Sequence, residues 1–150
     1  MVTLFTIGYQ GTSPEEFLDC LSHNGVSLLV DVRERTASRK AGFSKTKLAA
    51  TLMEAGIAYE HWKDLGTPKP IRDLLRKGKD WAAYSEAYQD RLDDRRDLVA
   101  ALAERLARET PCLLCFERDA LSCHRSLVTQ RMQDQGYIGD VVHLAPILAK

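Results

Sequence analysis

The 150 residues balance 21 lysines and arginines against 21 aspartates and glutamates, so the chain carries no formal net charge and no overall field draws it to nucleic acid or an anionic membrane. Hydrophobic residues make up 45% and charged residues 28%, which excludes a disordered chain and suits one packed domain of ordinary size. Any anion-binding site must therefore be local.

In chain order, Thr3 to Ile7 reads as a first strand, closed by Gly8. Ser13-Pro14-Glu15-Glu16 supplies an N-cap, a first-turn proline and acidic residues for a helix that Asn24-Gly25 terminates. Val26 to Val32 is an almost unbroken apolar run, the pattern of a strand covered on both faces. The stretch Glu34 to Ser44 is irregular and basic, and a helix is expected from Lys45 to Ala55, stopped by Gly56. Ile57 to Trp62 alternates as a strand. Leu65 to Pro70, with prolines two apart, is expected to be a loop and a candidate flap. Trp81 to Arg108 has helical spacing, with Trp81, Tyr84, Tyr88 and Leu92 followed by Leu98, Leu102 and Leu106, and is expected to divide into two helices near Asp93. Pro111 to Phe116 is a strand, Ser122 to Gln135 a helix, and Val141 to Leu144 the last strand. The alternation predicts a single compact α/β domain with a mainly parallel five-stranded sheet flanked by about five helices.

Met1 to Tyr9 has no basic segment ahead of its apolar residues and is too short for a signal peptide or a membrane span, so a cytoplasmic chain without a membrane partner is expected. Cys20, Cys112, Cys115 and Cys123 are accordingly read as free thiols. Cys112 and Cys115 form a C-x-x-C, but on a strand positions three apart face opposite ways, which argues against a redox pair there.

Ligands of parallel sheets bind beyond the carboxyl ends of the strands. The strongest cluster there runs from Cys115 through Glu117 to Ser122-Cys123-His124-Arg125. With Ser122 as cap, Cys123, His124 and Arg125 fall in the first helical turn, where the positive dipole end favours an anion and a thiolate. Cys123, His124 and Glu117 are the candidate catalytic residues, His124 as a proton carrier near neutral pH. Arg33, Arg35, Arg125, His61 and Cys115 are the candidates for holding a small anionic or nucleotide ligand. A structural pair of Arg33 with Asp31 or Glu117 competes with that role. No cofactor or metal is assigned.

Thr6-Ile7-Gly8-Tyr9, Leu29-Val30-Asp31-Val32-Arg33, Ile57 to His61 with Leu65-Gly66, and Cys115-Phe116-Glu117 followed by Cys123-His124-Arg125 together resemble the successive signatures of the domain of unknown function 488 family. The resemblance spans nearly the whole chain. It implies a compact α/β domain with Arg33, Glu117, Cys123, His124 and Arg125 at characteristic positions, and no established reaction. Where that family commonly has histidine after Thr-Ile-Gly, this chain has Tyr9, so proton transfer at that position is not supported. Asp-Val-Arg-Glu is also similar to a segment of rhodanese-like sulfurtransferases, but Cys123 is followed at once by His124-Arg125 and not by an anion-cradling turn.

The leading expectation is a small enzyme acting on a phosphate-bearing or other anionic substrate. One alternative is a zinc or iron site built from Cys115, Glu117, Cys123 and His124; against it, Cys123 and His124 as helical neighbours would project about 100° apart. Another is a non-catalytic module that binds nucleic acid through the basic stretch Arg33, Arg35, Arg39, Lys40, Lys45 and Lys47, with Phe43 among them.

Overall fold

The computed structural model describes residues 2–146. Strand β1 (Thr3–Gly8) leads into helix α1 (Pro14–His23), whose cap Ser13 accepts a hydrogen bond from the Glu16 amide at 3.1 Å. Beyond the helix end Gly25 takes φ 71°, a conformation that favours glycine and lets the chain turn into the next strand. Then follow β2 (Leu28–Asp31), α2 (Lys45–Glu54) and β3 (Ala58–His61). After β3 come a short 3₁₀ turn (Lys63–Leu65) and α3 (Lys69–Arg76). Helices α4 (Trp81–Asp93) and α5 (Arg96–Leu106) part near Asp93, as the spacing predicts. Strand β4 (Pro111–Cys115), a second 3₁₀ turn (Ala120–Ser122), α6 (His124–Asp134) and β5 (Asp140–Leu144) complete the elements of the described residues.

All five strands pair in parallel in one sheet of order β3-β2-β4-β1-β5. The central strands β2 and β4 are buried throughout, which accounts for their unbroken apolar sequences. Alternation along them feeds two cores. Leu28, Val30, Leu113 and Cys115 face Tyr88, Leu92, Val99, Leu102, Val128 and Met132 from α4, α5 and α6. Leu29, Cys112 and Leu114 face Phe17, Leu21, Leu48 and Leu52 from α1 and α2. Cys112 and Cys115 thus lie on opposite faces, as their strand spacing requires. No helix among the described residues is long and apolar enough to cross a membrane.

Two elements differ from the sequence expectation. Leu65 to Pro70 is not all loop, because α3 begins at Lys69 with Pro68 as its cap residue and Pro70 in its first turn. A first-turn proline lacks only an amide hydrogen that has no helical partner there, so it starts a helix as readily as it breaks one. Helix α6 starts later than expected: Ser122 ends the 3₁₀ turn, and the cap is Cys123, with extended backbone at φ −136° and ψ 145°.

The chain leaves β2 and β4 in opposite directions along the sheet, β2 toward β3 and β4 past β1 to β5. Such a point opens a crevice beyond the strand ends. Val32 and Arg33 follow β2 there, and Phe116 and Glu117 follow β4.

Candidate functional site

Asp31 is fully buried at the end of β2, and its carboxylate is surrounded by donors. Arg33 reaches Oδ1 through its backbone amide at 3.1 Å and Nε at 2.8 Å, and Oδ2 through Nη2 at 2.7 Å; the Tyr59 hydroxyl of β3 also donates to Oδ2. Nη1 of Arg33 donates to the Phe43 carbonyl at 2.7 Å and to the Tyr9 hydroxyl at 3.2 Å. Burial disfavours this guanidinium's charge, but the bonds to Asp31 and Tyr9 outweigh it and hold the arginine above its ordinary pKa. Arg33 is therefore locked in an ion pair with Asp31, one of the two partners anticipated. His61 stands behind it, Nε2 on the Arg33 carbonyl at 2.7 Å, and does not line the cavity described below.

Arg125 is also held by the protein. Its Nε donates to Thr6 Oγ1 at 3.1 Å, Nη1 to Cys115 Sγ at 2.9 Å and to the Glu117 carbonyl, and Nη2 to the Arg118 carbonyl at 3.1 Å. The side chain is completely buried and is absent from the cavity wall, so the fork expected to bind substrate instead clamps the β4 exit loop. Gly8 makes room for this clamp, since a β-carbon there would overlap the Glu117 carbonyl and press on Arg125 Nη1.

His124, the first residue of α6, is buried with Nε2 2.8 Å from the Val32 carbonyl. A carbonyl only accepts, so Nε2 carries the proton and Nδ1 presents its lone pair toward Cys123 Sγ, 3.7 Å away. Burial lowers the His124 pKa to about 4, with the Val32 bond opposing it. Burial thus favours the neutral imidazole near pH 7.

The free-thiol expectation is corrected as well: Cys115 and Cys123 are joined as a disulfide, whereas Cys20 and Cys112 are free. The loop from Phe116 doubles back through the 3₁₀ turn, and Cys123, extended at the helix cap, turns its sulfur to the end of β4. That extended backbone also removes the helical objection to Cys123 and His124 acting together. Glu117 Oε2 lies 3.5 Å from Cys115 Sγ, and burial raises its carboxyl pKa.

Above these groups lies a cavity of about 540 Å³, within the range of small-molecule sites. Cys115, Glu117, His124 and Tyr84 line it together with Tyr9 and Phe116. Arg33, Arg35, Arg39, Lys40, Arg72 and Arg76 form the cationic part of the wall, against Glu34 and Glu117. Arg33 is matched by Asp31 and Arg72 by Glu34. Among the described residues, no ion pair engages Arg35, Arg39, Lys40 or Arg76.

A family model described as "Domain of unknown function DUF488" matches residues 13–132, most of the chain. The chain belongs to the DUF488 family. No match was found among curated proteins or among solved structures. In this DUF488 domain the structure gathers Cys115, Cys123 and His124 around one point, sets Glu117 against Cys115, and leaves Arg35 on the cavity wall. Cys123 itself is buried under the floor and is not a lining residue. Of the basic stretch, Lys45 and Lys47 lie away from the cavity, and Phe43 is core, its ring stacked on Tyr9 at 4.5 Å. Sequence reading missed Arg72 and Arg76, because α3 was not anticipated; their spacing of four was the available signal. Tyr84 packs as expected but also borders the cavity.

Proposed function

We propose that this protein is a small enzyme for a phosphate-bearing anion of nucleotide size. Arg35, Arg39, Lys40 and Arg76 hold the phosphate, and the reacting end of the substrate reaches the floor at Cys115, Glu117 and His124. The observation that carries the reading is the concentration of cations on one cavity wall in a chain whose formal net charge is zero. Cations outside any close ion pair around a concave site favour a multiply charged anion over a neutral ligand. Phe116 is a large exposed apolar residue at this cavity and stands edge-on to Tyr9, with ring centres 5.3 Å apart. Its free face suits a planar base.

Calorimetric titration of the full chain at low salt with nucleoside mono-, di- and triphosphates and with inorganic phosphate tests this. A nucleotide should bind one to one and more weakly as salt rises. The R35A/R39A/K40A variant should bind at least tenfold more weakly at an unchanged unfolding midpoint. No binding by the folded wild type, or equal binding by the variant, overturns the reading. Tighter binding of a single-stranded oligonucleotide than of any mononucleotide would instead favour a nucleic-acid interface.

A further inference from the structure

Cys115 Sγ, Cys123 Sγ and a ring nitrogen of His124 all lie within 4.8 Å of one another, and the three residues are buried. With Nε2 held by the Val32 carbonyl, His124 offers Nδ1 toward the sulfurs in a fixed orientation. A second-shell carbonyl that fixes the ring in this way is the usual support of a metal-binding histidine. The backbone spacing points the same way. The two cysteine Cα atoms stand 7.6 Å apart, whereas disulfides usually span about 4.4–6.8 Å. Two thiolates bound at about 2.3 Å to a tetrahedral ion keep their sulfurs roughly 3.8 Å apart and so accept a wider backbone separation.

We propose that, once reduced, Cys115 Sγ, Cys123 Sγ and His124 Nδ1 bind one zinc-class divalent ion whose fourth position opens toward Glu117 and the cavity. The site goes beyond the anion-binding reading and stands without it. A dithiol reductant breaks the Cys115–Cys123 bond by two exchanges; it becomes a disulfide and leaves two cysteine thiols. The ion then displaces both thiol protons to solvent, with no change in its own oxidation state. Two thiolates neutralise the dication, and Arg125 Nη1, 2.9 Å from Cys115 Sγ, donates a hydrogen bond to one of them. Thiolate and imidazole donors select zinc over calcium or magnesium. Cys115 and His124 border the cavity, so the open position faces it.

Cobalt(II) added to the full chain, stripped with a chelator and reduced with a phosphine, reports the site directly. One equivalent should produce thiolate-to-cobalt charge-transfer bands and the visible bands of a tetrahedral ion, and zinc should abolish both. C115S and C123S should each lose most of the charge-transfer intensity, H124A should shift the visible bands, and C20S should change nothing. The wild-type spectrum decides the matter even where a variant does not fold. Absence of the bands while four thiols titrate with a disulfide reagent overturns the site, and so does an unchanged spectrum in folded C115S. Nucleotide affinity, measured separately with and without zinc, keeps the fate of the anion reading distinct.

Discussion

Nε2 of His124 lies 2.8 Å from the carbonyl oxygen of Val32, a residue 92 positions earlier in the chain. One hydrogen bond thus ties the start of α6 to the exit of β2 and determines which nitrogen faces the two cysteines. His124→Ala removes a buried ring and leaves the Val32 carbonyl without this donor, and should destabilise the protein by about 2–4 kcal/mol. Urea unfolding of the oxidised chain measures the loss; a change under 1 kcal/mol would contradict the assigned bond.

Asp31 and Arg33 form a bidentate pair at 2.8 and 2.7 Å, and the relative exposure of the side chains is 0% and 6%. Asp31→Asn keeps the shape but leaves a buried guanidinium uncompensated, at a cost of about 3–5 kcal/mol. The same substitution combined with Arg33→Met should recover part of that loss, because no charge then remains to be buried. Thermal unfolding of both variants is the check, and a double variant less stable than Asp31→Asn would refute the pairing.

Gly8 faces the Glu117 carbonyl so closely that no side chain fits. Gly8→Ala must push the β4 exit loop and the Arg125 clamp apart, and we expect a loss of about 2 kcal/mol or more by analogy with overpacked cores. Weaker anion binding should accompany it, since Phe116 and Glu117 move with that loop. Wild-type stability would mean that the loop shifts freely.

Glu60 accepts from Arg105, with Nη1 2.8 Å from Oε1, and from the Trp62 indole nitrogen at 2.9 Å. The bond to Arg105 is the main cause of a carboxyl pKa below the ordinary range, partly opposed by burial. A depressed folded pKa stabilises the protein above the unfolded carboxylate pKa, and that contribution fades as pH falls through the folded value. The side chain is 36% exposed, so solvent screening limits the contribution to about 0.5 kcal/mol. Glu60→Gln should therefore lower the unfolding midpoint slightly at pH 7, and the loss should shrink as pH falls below the ordinary carboxylate range; a loss that does not change with pH would assign the effect to packing.

Arg35 and Arg39 are exposed. Alanine at either position should change stability by less than about 0.5 kcal/mol while weakening anion binding severalfold. Parallel unfolding and titration experiments separate the two effects, and a large stability loss would show these arginines to be structural.

Local chemistry in the sequence determined the parallel sheet, since two-sided burial demands unbroken apolar strands such as Leu28–Val30 and Cys112–Leu114. It determined α1 through Ser13 and Pro14, and it marked Cys115 to Arg125 as the polar segment at a strand exit. Its periodicities did not reveal α3, because prolines two apart signal a loop and a helix start equally well. Tertiary structure decided which polar groups meet. The placement of β4 between β2 and β1 brings Val32 to His124 and Thr6 to Arg125 across separations of 92 and 119 residues. It also decided that Arg125 clamps a loop while Arg35, Arg39, Lys40 and Arg76 face the cavity. Hydrogen-bond partners depend on strand order and on where each loop returns, and a local pattern of residues carries neither.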